Sequence, residues 1–347
     1  NKFRKDNCIP IYLDQELRSA FLEGFCDNTI WPLFNYFTQN TKYYPANWEA
    51  YKKVNQLYFE VISKYINDDD ILWVHDYHLM LLPKLIREKF PNVSIGYFQH
   101  IPFPSFEIFR FLPWRIELLE GILGADLIGF HTYDYQRHFM SCVRRLLGNE
   151  TVFNRIRLDE RIVKVDAFPM GIDFEYFNNT ARELAKSTAK EESEIHKELK
   201  EYLKRAKNQK IILSIDRLDY TKGIPDRIKA FELFLNTYPE YLEKVTLFLF
   251  VTPSRENITD YQDLKKQLDE LVGRINGGYG SIGWMPIWDF FRATDRMESI
   301  ELYNSADIAL ITPTRDGMNL PAKEYLACKT DNTGVLILSE MAGAAKE

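Results

Sequence analysis

The sequence predicts an α/β protein built from two open, doubly wound parallel-sheet domains in tandem, and three observations carry that expectation. Short apolar runs rich in β-branched residues recur along the chain, segments of helical pattern lie between them, and polar residues gather immediately after the runs. The length, 347 residues, suffices for two domains at roughly 100–200 residues each. With 46% hydrophobic, 14% aromatic and 27% charged residues, the composition is that of a folded protein rather than a disordered one.

In chain order, a helix is expected at about 46–66, then strand Ile71–Val74, a helix at 79–89, strand Val93–Gln99, a helix at 106–122, strand Ala125–Phe130, a helix at 132–147 and strand Ile162–Ala167. Phe168-Pro169-Met170-Gly171-Ile172-Asp173 then sets Pro and Gly after a strand, a natural place to leave one sheet and enter another. The domain boundary is therefore expected near 172, dividing the chain into 1–172 and 173–347. Arg182–Gln209 is the most polar stretch, with Glu and Lys often three or four apart, and reads as a solvated helix near that junction. The second half continues with strand Lys210–Ile215, a helix at 223–236, strand Val245–Val251, helices at 259–274 and 297–305, strand Ala306–Ile311, a helix at 318–328 and strand Gly334–Leu338. Two such domains leave a cleft between them, where a two-substrate enzyme would hold its ligands.

Several functions are disfavoured. Lys and Arg number 44 against 50 Asp and Glu, a net charge of −6, whereas a domain that wraps nucleic acid carries a basic excess. The longest apolar stretches, such as Val245–Val251, fall far short of the roughly 18–20 residues of a membrane helix. No apolar h-region follows the basic start, so no secretory signal is visible. Cys8, Cys26, Cys142 and Cys328 lack CxxC spacing, which suits reduced thiols in the cytoplasm. Gly278-Tyr279-Gly280-Ser281-Ile282-Gly283 matches G-x-G-x-x-G, yet a helical segment precedes it, so a dinucleotide fingerprint is rejected. There is no ATP-type phosphate loop and no G-x-S-x-G elbow. His75 and His78 flank Asp76 without further ligands at a recognised spacing, so no metal is expected, and at least one of them should hydrogen-bond structurally. His131 and His138, seven apart on a predicted helix, are expected to be satisfied structural histidines.

Ligands of open parallel sheets bind beyond the carboxyl ends of the strands. Arg217 and Lys222 lie five apart in a loop entering a helix, where backbone N–H groups and the macrodipole already favour an anion. Together they suit a diphosphate; the alternative is an ordinary salt bridge of Arg217 to Asp216 or Asp219. A second helix N-terminus, Asp316-Gly317-Met318-Asn319-Leu320-Pro321, offers Gly for close backbone approach, Pro for the first turn, and several N–H donors.

These loops, in this order, resemble those of the trehalose-6-phosphate synthase family, retaining glycosyltransferases of GT-B architecture, with two Rossmann-like domains facing across a cleft. The likeness spans Trp31-Pro32-Leu33-Phe34-Asn35-Tyr36, Trp73-Val74-His75-Asp76-Tyr77-His78, His100-Ile101-Pro102-Phe103-Pro104, Arg217 to Gly223, Arg274-Ile275-Asn276-Gly277, Arg315 to Leu320, and Lys323-Glu324. It implies transfer of glucose from UDP-glucose to glucose 6-phosphate. By that match Arg217 and Lys222 grip the donor diphosphate, and Glu324 holds the ribose. Asp316, with the backbone of Gly317, Met318, Asn319 and Leu320, holds the donor glucose, and His100 lies near its 6-hydroxyl. Tyr36, Trp48 and Arg255 match positions that bind the acceptor phosphate, and Asp76 the carboxylate that orients acceptor hydroxyls. Pro321 departs from the family's small aliphatic residue and removes an N–H. The match also implies that the chain starts after the family's N-terminal Gly-rich loop and ends before its final helices.

The expected catalytic set is Asp76, Arg217 and Lys222, with no metal and no cofactor beyond UDP-glucose as co-substrate. The expected mechanism is front-face displacement, in which the departing phosphate takes the acceptor's proton. Its rival pairs Asp76 and Asp316 as the two carboxylates of a retaining glycoside hydrolase. Two further alternatives are a related glucosyltransferase with another phosphorylated acceptor or nucleotide donor, and a catalytically silent regulatory homologue. Partners are the two substrates, with room for a homo-oligomer or a trehalose-phosphate phosphatase, and neither nucleic acid nor membrane.

Overall fold

The computed structural model describes residues 8–159, 161–186, 194–206 and 209–347. The chain divides into two compact units, residues 1–169 and 170–347.

The first unit opens with a helical run for which the sequence analysis has no element: α-helical Gln15–Ser19, π-helical Ala20–Ile30 and α-helical Trp31–Phe34. Phe25, Ile30, Leu33 and Phe34 of this run are core residues. There follow α1 (Pro45–Ile62), β1 (Ile71–His75), α2 (Leu82–Lys89), β2 (Ser94–Gln99), α3 (Arg115–Ile122), β3 (Leu127–Phe130), α4 (Tyr133–Leu147), β4 (Thr151–Val152), β5 (Arg155–Arg157) and β6 (Ile162–Ala167). Strands β1, β2, β3 and β6 pair in that order and in parallel, while β5 and β4 extend the sheet antiparallel. Because His75 pairs with Phe98 and Gln99 with Phe130, the carboxyl ends of β1, β2 and β3 are level. The residues that follow them, Asp76, His100 and His131, therefore emerge at one edge of the sheet.

One expected helix, 106–122, is two pieces: a single turn at Phe106–Phe109 and then α3. Pro113 lies between them, where it lacks the N–H a continuous helix needs and restricts the residue before it. Helix α4 begins where Thr132 accepts a hydrogen bond from the Tyr135 N–H and ends at Gly148, which is left-handed at φ +76°.

The second unit contains α5 (Phe174–Lys186), α6 (Glu194–Arg205), β7 (Lys210–Arg217), α7 (Ile224–Thr237), β8 (Val245–Thr252), α8 (Thr259–Tyr279), β9 (Ile287–Phe290), α9 (Arg296–Ser305), β10 (Ile308–Ile311), α10 (Leu320–Cys328) and β11 (Val335–Leu338). All five strands are parallel, ordered β11-β10-β7-β8-β9. Alternate residues of the central strands face opposite ways. Ile211, Leu213, Ile215, Phe248 and Phe250 enter one core with α5, α9 and α10, whereas Ile212, Leu247, Leu249 and Val251 enter another with α7 and α8. A sheet covered on both faces is why these strands read as unbroken apolar runs.

The stretch expected as one solvated helix, 182–209, contributes to α5 and α6, and its residues 187–193 and 207–208 lie outside the described residues. Leu199 of α6 packs into the core, so the charged spacing marks one face of that helix rather than all of it. Helix α8 runs on to Tyr279 and carries Gly278 with it; Ser281 then bridges Trp284 ahead of β9. That order, helix then turn then strand, is the reverse of a dinucleotide fingerprint.

From β7 the chain builds outward through β8 to β9, then returns to place β10 and β11 on the other side of β7. The switch point is thus between β7 and β10, the place where an open α/β sheet accepts a ligand. Gly223 makes this junction narrow. It sits at φ +63°, and a Cβ there would lie 2.7 Å from the Thr312 carbonyl oxygen. Gly223→Ala is therefore expected to destabilise the protein by about 2–4 kcal/mol, combining a left-handed alanine with an overpacked contact. A urea unfolding midpoint equal to that of the parent would contradict this.

Candidate active site

One buried side chain draws the ends of β7 and β10 together. Arg227 lies on α7 in phase with Ile224, Ile228, Phe231 and Leu235, which face the core, and it is 2% exposed. Its guanidinium donates to Asp216 Oδ2 at 2.8 Å, Ser214 Oγ at 2.5 Å, Thr312 Oγ1 at 3.1 Å and the Lys222 carbonyl at 3.0 Å. The first two acceptors are on β7, the third follows β10, and the fourth is in the Tyr220–Lys222 turn, so one planar fork fixes both switch-point loops. Thr314 adds to this by donating its N–H and its hydroxyl to the Thr221 carbonyl, each at 2.9 Å.

The same turn presents Lys222, whose Nζ lies 2.5 Å from Asp316 Oδ2, with the two side chains 12% and 16% exposed. Burial opposes the ammonium charge, but Asp316, helped by Asp216 and Asp219, outweighs it and holds Lys222 above its ordinary pKa. Burial opposes the Asp316 carboxylate as well; Lys222, Asn319 and the Met318 N–H prevail and hold it below the usual carboxylate range. The expected diphosphate cation and the expected sugar-binding carboxylate thus face each other. A single bond to Asp316 uses one of the three protons on the ammonium. Arg217, at the carboxyl end of β7, has an exposed side chain.

Asn319 takes a left-handed φ of +72°, donates to Asp316 Oδ2 at 3.0 Å and accepts the Ala322 N–H at 3.2 Å, capping α10. That cap starts α10 at Leu320, later than the expected 318. The loop is backed by Met341–Ala344: the Asp316 N–H donates to the Met341 carbonyl and the Ala344 N–H to the Met318 carbonyl. A Cβ at Gly343 would lie 2.1 Å from the Gly317 carbonyl oxygen. The N–H groups of Asp316, Met318 and Ala322 are therefore engaged within the loop itself, which narrows the set of donors expected there. Glu324 accepts the hydroxyl of buried Tyr303 at 3.0 Å; burial pushes its carboxyl up, and that bond works against the rise.

Arg255, at φ +50°, donates to Asp219 Oδ2 at 2.9 Å and to the Tyr261 hydroxyl at 2.6 Å. Asp219 is fully buried, and its other oxygen accepts the N–H and hydroxyl of Thr221. One buried carboxylate thereby anchors both the cation expected at the acceptor phosphate and the turn that carries Lys222.

In the first unit, Asp76 follows β1 at φ +66°; its N–H donates to the Phe98 carbonyl at 2.7 Å, and its carboxylate accepts the His100 N–H at 3.1 Å. Burial pushes its carboxyl up, against the pull of His78 and of backbone N–H groups including that of His100. His75 Nδ1 lies 2.9 Å from His100 Nε2. His131 precedes α4 instead of lying on it, and its buried ring is 5.4 Å from that of His100. His138 is within α4, its Nδ1 3.0 Å from the Phe103 carbonyl. Tyr36, at φ +69°, accepts the Ser105 N–H at 2.8 Å and so adjoins the segment that follows β2. Trp48 is 5% exposed, stacked on Trp114 and Tyr51 at 5.3 and 5.7 Å. A ring so covered offers a ligand no more than an edge.

Arg227, Tyr303 and the Met341–Gly343 backing are not among the residues expected from sequence. The first had a signal, an arginine in the apolar phase of a helix, which demands a buried carboxylate. The others are long-range contacts with no local signature. Among the described residues no group of three His, Cys, Asp or Glu could hold a metal ion, and no helix is long and apolar enough to cross a membrane.

The sequence model of glycosyltransferase family 20 matches residues 1–347. The chain is 46% identical over 340 residues to alpha,alpha-trehalose-phosphate synthase (UDP-forming) A of Dictyostelium discoideum, covering 98% of this chain but only 45% of that protein. It therefore spans about half the length of that relative. An E. coli protein solved under the name trehalose-6-phosphate, bound with UDP-2-fluoro glucose, superposes with a TM-score of 0.90 at 34% identity, covering 96% of this chain and 73% of that one. An alpha,alpha-trehalose-phosphate synthase (UDP-forming) of Burkholderia xenovorans in complex with glucose-6-phosphate gives 0.89 at 31%, with 96% and 73% covered.

The Lys222–Asp316 pair has a signed pH dependence. A carboxyl whose folded pKa is depressed stabilises the fold above its unfolded pKa of about 3.9, and that contribution is lost as pH falls through the folded value. Lys222→Met leaves burial to act on Asp316, so its carboxyl should titrate at higher pH than in the parent. The stability gap between the two proteins should also close as the solution is acidified. NMR titration of the Asp316 side-chain carbon reads the first effect and urea unfolding across the acid range the second; an unmoved Asp316 would refute the assignment.

Proposed function

The chain belongs to glycosyltransferase family 20, and from that premise we propose that it transfers glucose from UDP-glucose to glucose 6-phosphate, forming α,α-trehalose 6-phosphate and UDP. Its fold is the GT-B architecture of α/β units with parallel sheets. The observation that carries the reading is the switch point of the second unit, where Lys222 and Arg217 stand at the end of β7 and the Asp316–Leu320 loop follows β10. The two solved neighbours hold a fluorinated UDP-glucose and glucose-6-phosphate, the two substrate classes this reading requires.

In this scheme residues 173–347 bind the nucleotide sugar and residues 1–172 the acceptor. Arg217 and Lys222 hold the diphosphate, Glu324 the ribose, and Asp316 with the backbone of Gly317, Met318, Asn319 and Leu320 the glucose. His100 lies toward the 6-hydroxyl. Tyr36, the edge of Trp48 and Arg255 hold the acceptor phosphate, and Asp76 orients its hydroxyls. The difficult event is expulsion of diphosphate from the anomeric carbon, which concentrates negative charge on the leaving oxygens. Cations already fixed in place stabilise that charge without reorganising as it forms. The bond from the anomeric carbon to the phosphate oxygen breaks while one to the acceptor hydroxyl forms on the same face, and the departing phosphate oxygen takes the hydroxyl proton. Neither a metal nor a protein base enters these steps. Asp316 already faces Lys222 as an ion pair, which disfavours the rival role of a glycosidase carboxylate.

Buried thiols at Cys26, Cys142 and Cys328 favour a reducing compartment, the cytoplasm. A phosphatase that consumes trehalose 6-phosphate is the partner class that this product implies.

Arg217→Ala and Lys222→Ala should each lower kcat about 10²–10³-fold, the effect of removing one such donor. The check is UDP release in the presence of glucose 6-phosphate. Parental turnover in either purified variant would overturn the assignment.

A further inference from the structure

Three strands of the first unit end level, and this brings a pair of imidazoles together that the scheme above does not use. His75 is the last residue of β1 and His100 the first after β2. Their rings are nearly parallel, 19° apart with centroids at 5.2 Å, and meet edge to edge with His75 Nδ1 2.9 Å from His100 Nε2. The Trp73 ring flanks His75 at 4.5 Å, and Phe98 and His131 flank His100 at 4.7 and 5.4 Å. The His100 N–H is held by the Asp76 carboxylate. Backbone and ring are thus both fixed, and one ring nitrogen of His100 is already committed.

We infer that His75 is a positioning residue for the donor sugar, because by occupying Nε2 of His100 it decides whether Nδ1 of that ring donates to or accepts from the sugar's 6-hydroxyl. The inference rests on the placement of His100 at that hydroxyl proposed above. Two neutral imidazoles carry two N–H protons, and one of them must lie in the bridge. If the bridging proton belongs to His75, the proton of His100 is on Nδ1, which then donates. If it belongs to His100, Nδ1 is bare and accepts, and His75 carries its proton on Nε2. One extra proton on the pair makes both outer nitrogens donors and leaves the bridge intact. A second extra proton sets two N–H groups against each other and breaks it.

The charged and titratable groups facing His100 set how readily the pair takes that last proton. They are His75 from β1, Asp76 from the following loop, and His131 after β3; His78 acts on Asp76 from the same loop. Burial, and then His75, lowers the pKa of His100. Which ring holds the bridging proton follows from the surroundings of the exposed His75 edge, as the tautomer of any histidine follows from the bond its other nitrogen makes.

The test compares the parent chain with His75→Phe, which keeps a flat ring at an exposed position, and with His100→Ala. In nitrogen-15-labelled parent protein, a scalar coupling between the two ring nitrogens across the bridge should be present, and it should vanish in His75→Phe. Calorimetric affinity for UDP-glucose should fall about tenfold in His75→Phe, the effect of one hydrogen bond. Affinity for UDP-6-deoxyglucose should be unchanged, and His75→Phe should add nothing on a His100→Ala background. Absence of the coupling in the parent overturns the pairing. An equal loss for both donors, or an additive loss with His100→Ala, overturns the positioning role, because His75 would then act by another route. If the parent binds neither donor, the proposed donor site fails and the positioning role fails with it, while the coupling still reports whether the bridge exists.

Discussion

The second unit depends on a positive charge that cannot reach water. Arg227 is sealed beneath the carboxyl end of the sheet, and its guanidinium must place its hydrogen bonds on groups the fold brings to it. Removing such a group from water is expensive, and only a matched carboxylate together with further acceptors compensates. Asp216, Ser214, Thr312 and the Lys222 carbonyl are that set, and they come from a strand, a turn and a second strand end. Satisfying one buried fork therefore fixes the relative position of both loops at the switch point. This explains how residues far apart in sequence, Lys222 and Asp316, come to lie within 2.5 Å.

The same economy recurs around it. Asp219 serves the Lys222 turn with one oxygen and Arg255 with the other, so two of the three expected phosphate-binding cations share a foundation within the unit. Asn319 both caps α10 and holds Asp316. In the first unit the equivalent constraint is register: parallel pairing levels the ends of β1, β2 and β3, and a strained φ at Asp76 turns its carboxylate toward the His100 backbone. Lys222, Asp316, Arg255 and Asp76 are each held by backbone or by a charged partner, and such preorganisation is what charge stabilisation in a transition state requires.

Much of this was legible in the chain itself. Strands β7 and β8 are covered on both faces, so their residues had to be apolar throughout, and the polar residues after them stood out. Helix 223–236 is expected where the loop bearing Arg217 and Lys222 ends, and α7 begins there at Ile224. What could not be read were elements without a local pattern. The π-helical run Ala20–Ile30 does not repeat at the α-helical period, Asp289 interrupts the apolar run of β9, and the β4–β5 pair is too brief to register. The apolar pattern of 106–122 runs continuously past Pro113, which nonetheless divides it into two helical pieces. At the site, Lys222, Asp316, Glu324 and Asp76, the groups proposed to meet substrate, are the ones the sequence singles out. Tyr303 and Gly343 hold others through contacts only the fold creates, whereas Arg227 carries a signal in its helical phase and His75 is one of two histidines of which at least one is expected to hydrogen-bond structurally.

The central claim is that the second unit's switch point binds a nucleotide through its diphosphate. Calorimetry of the full chain with UDP and with uridine at equal ionic strength tests it directly. Charge-assisted bonds from two cations are each worth about 1.5–3 kcal/mol, so UDP should bind about 100-fold more tightly than uridine, or better, with the difference shrinking as salt is raised. Equal affinities for the two, insensitive to salt, would contradict the account.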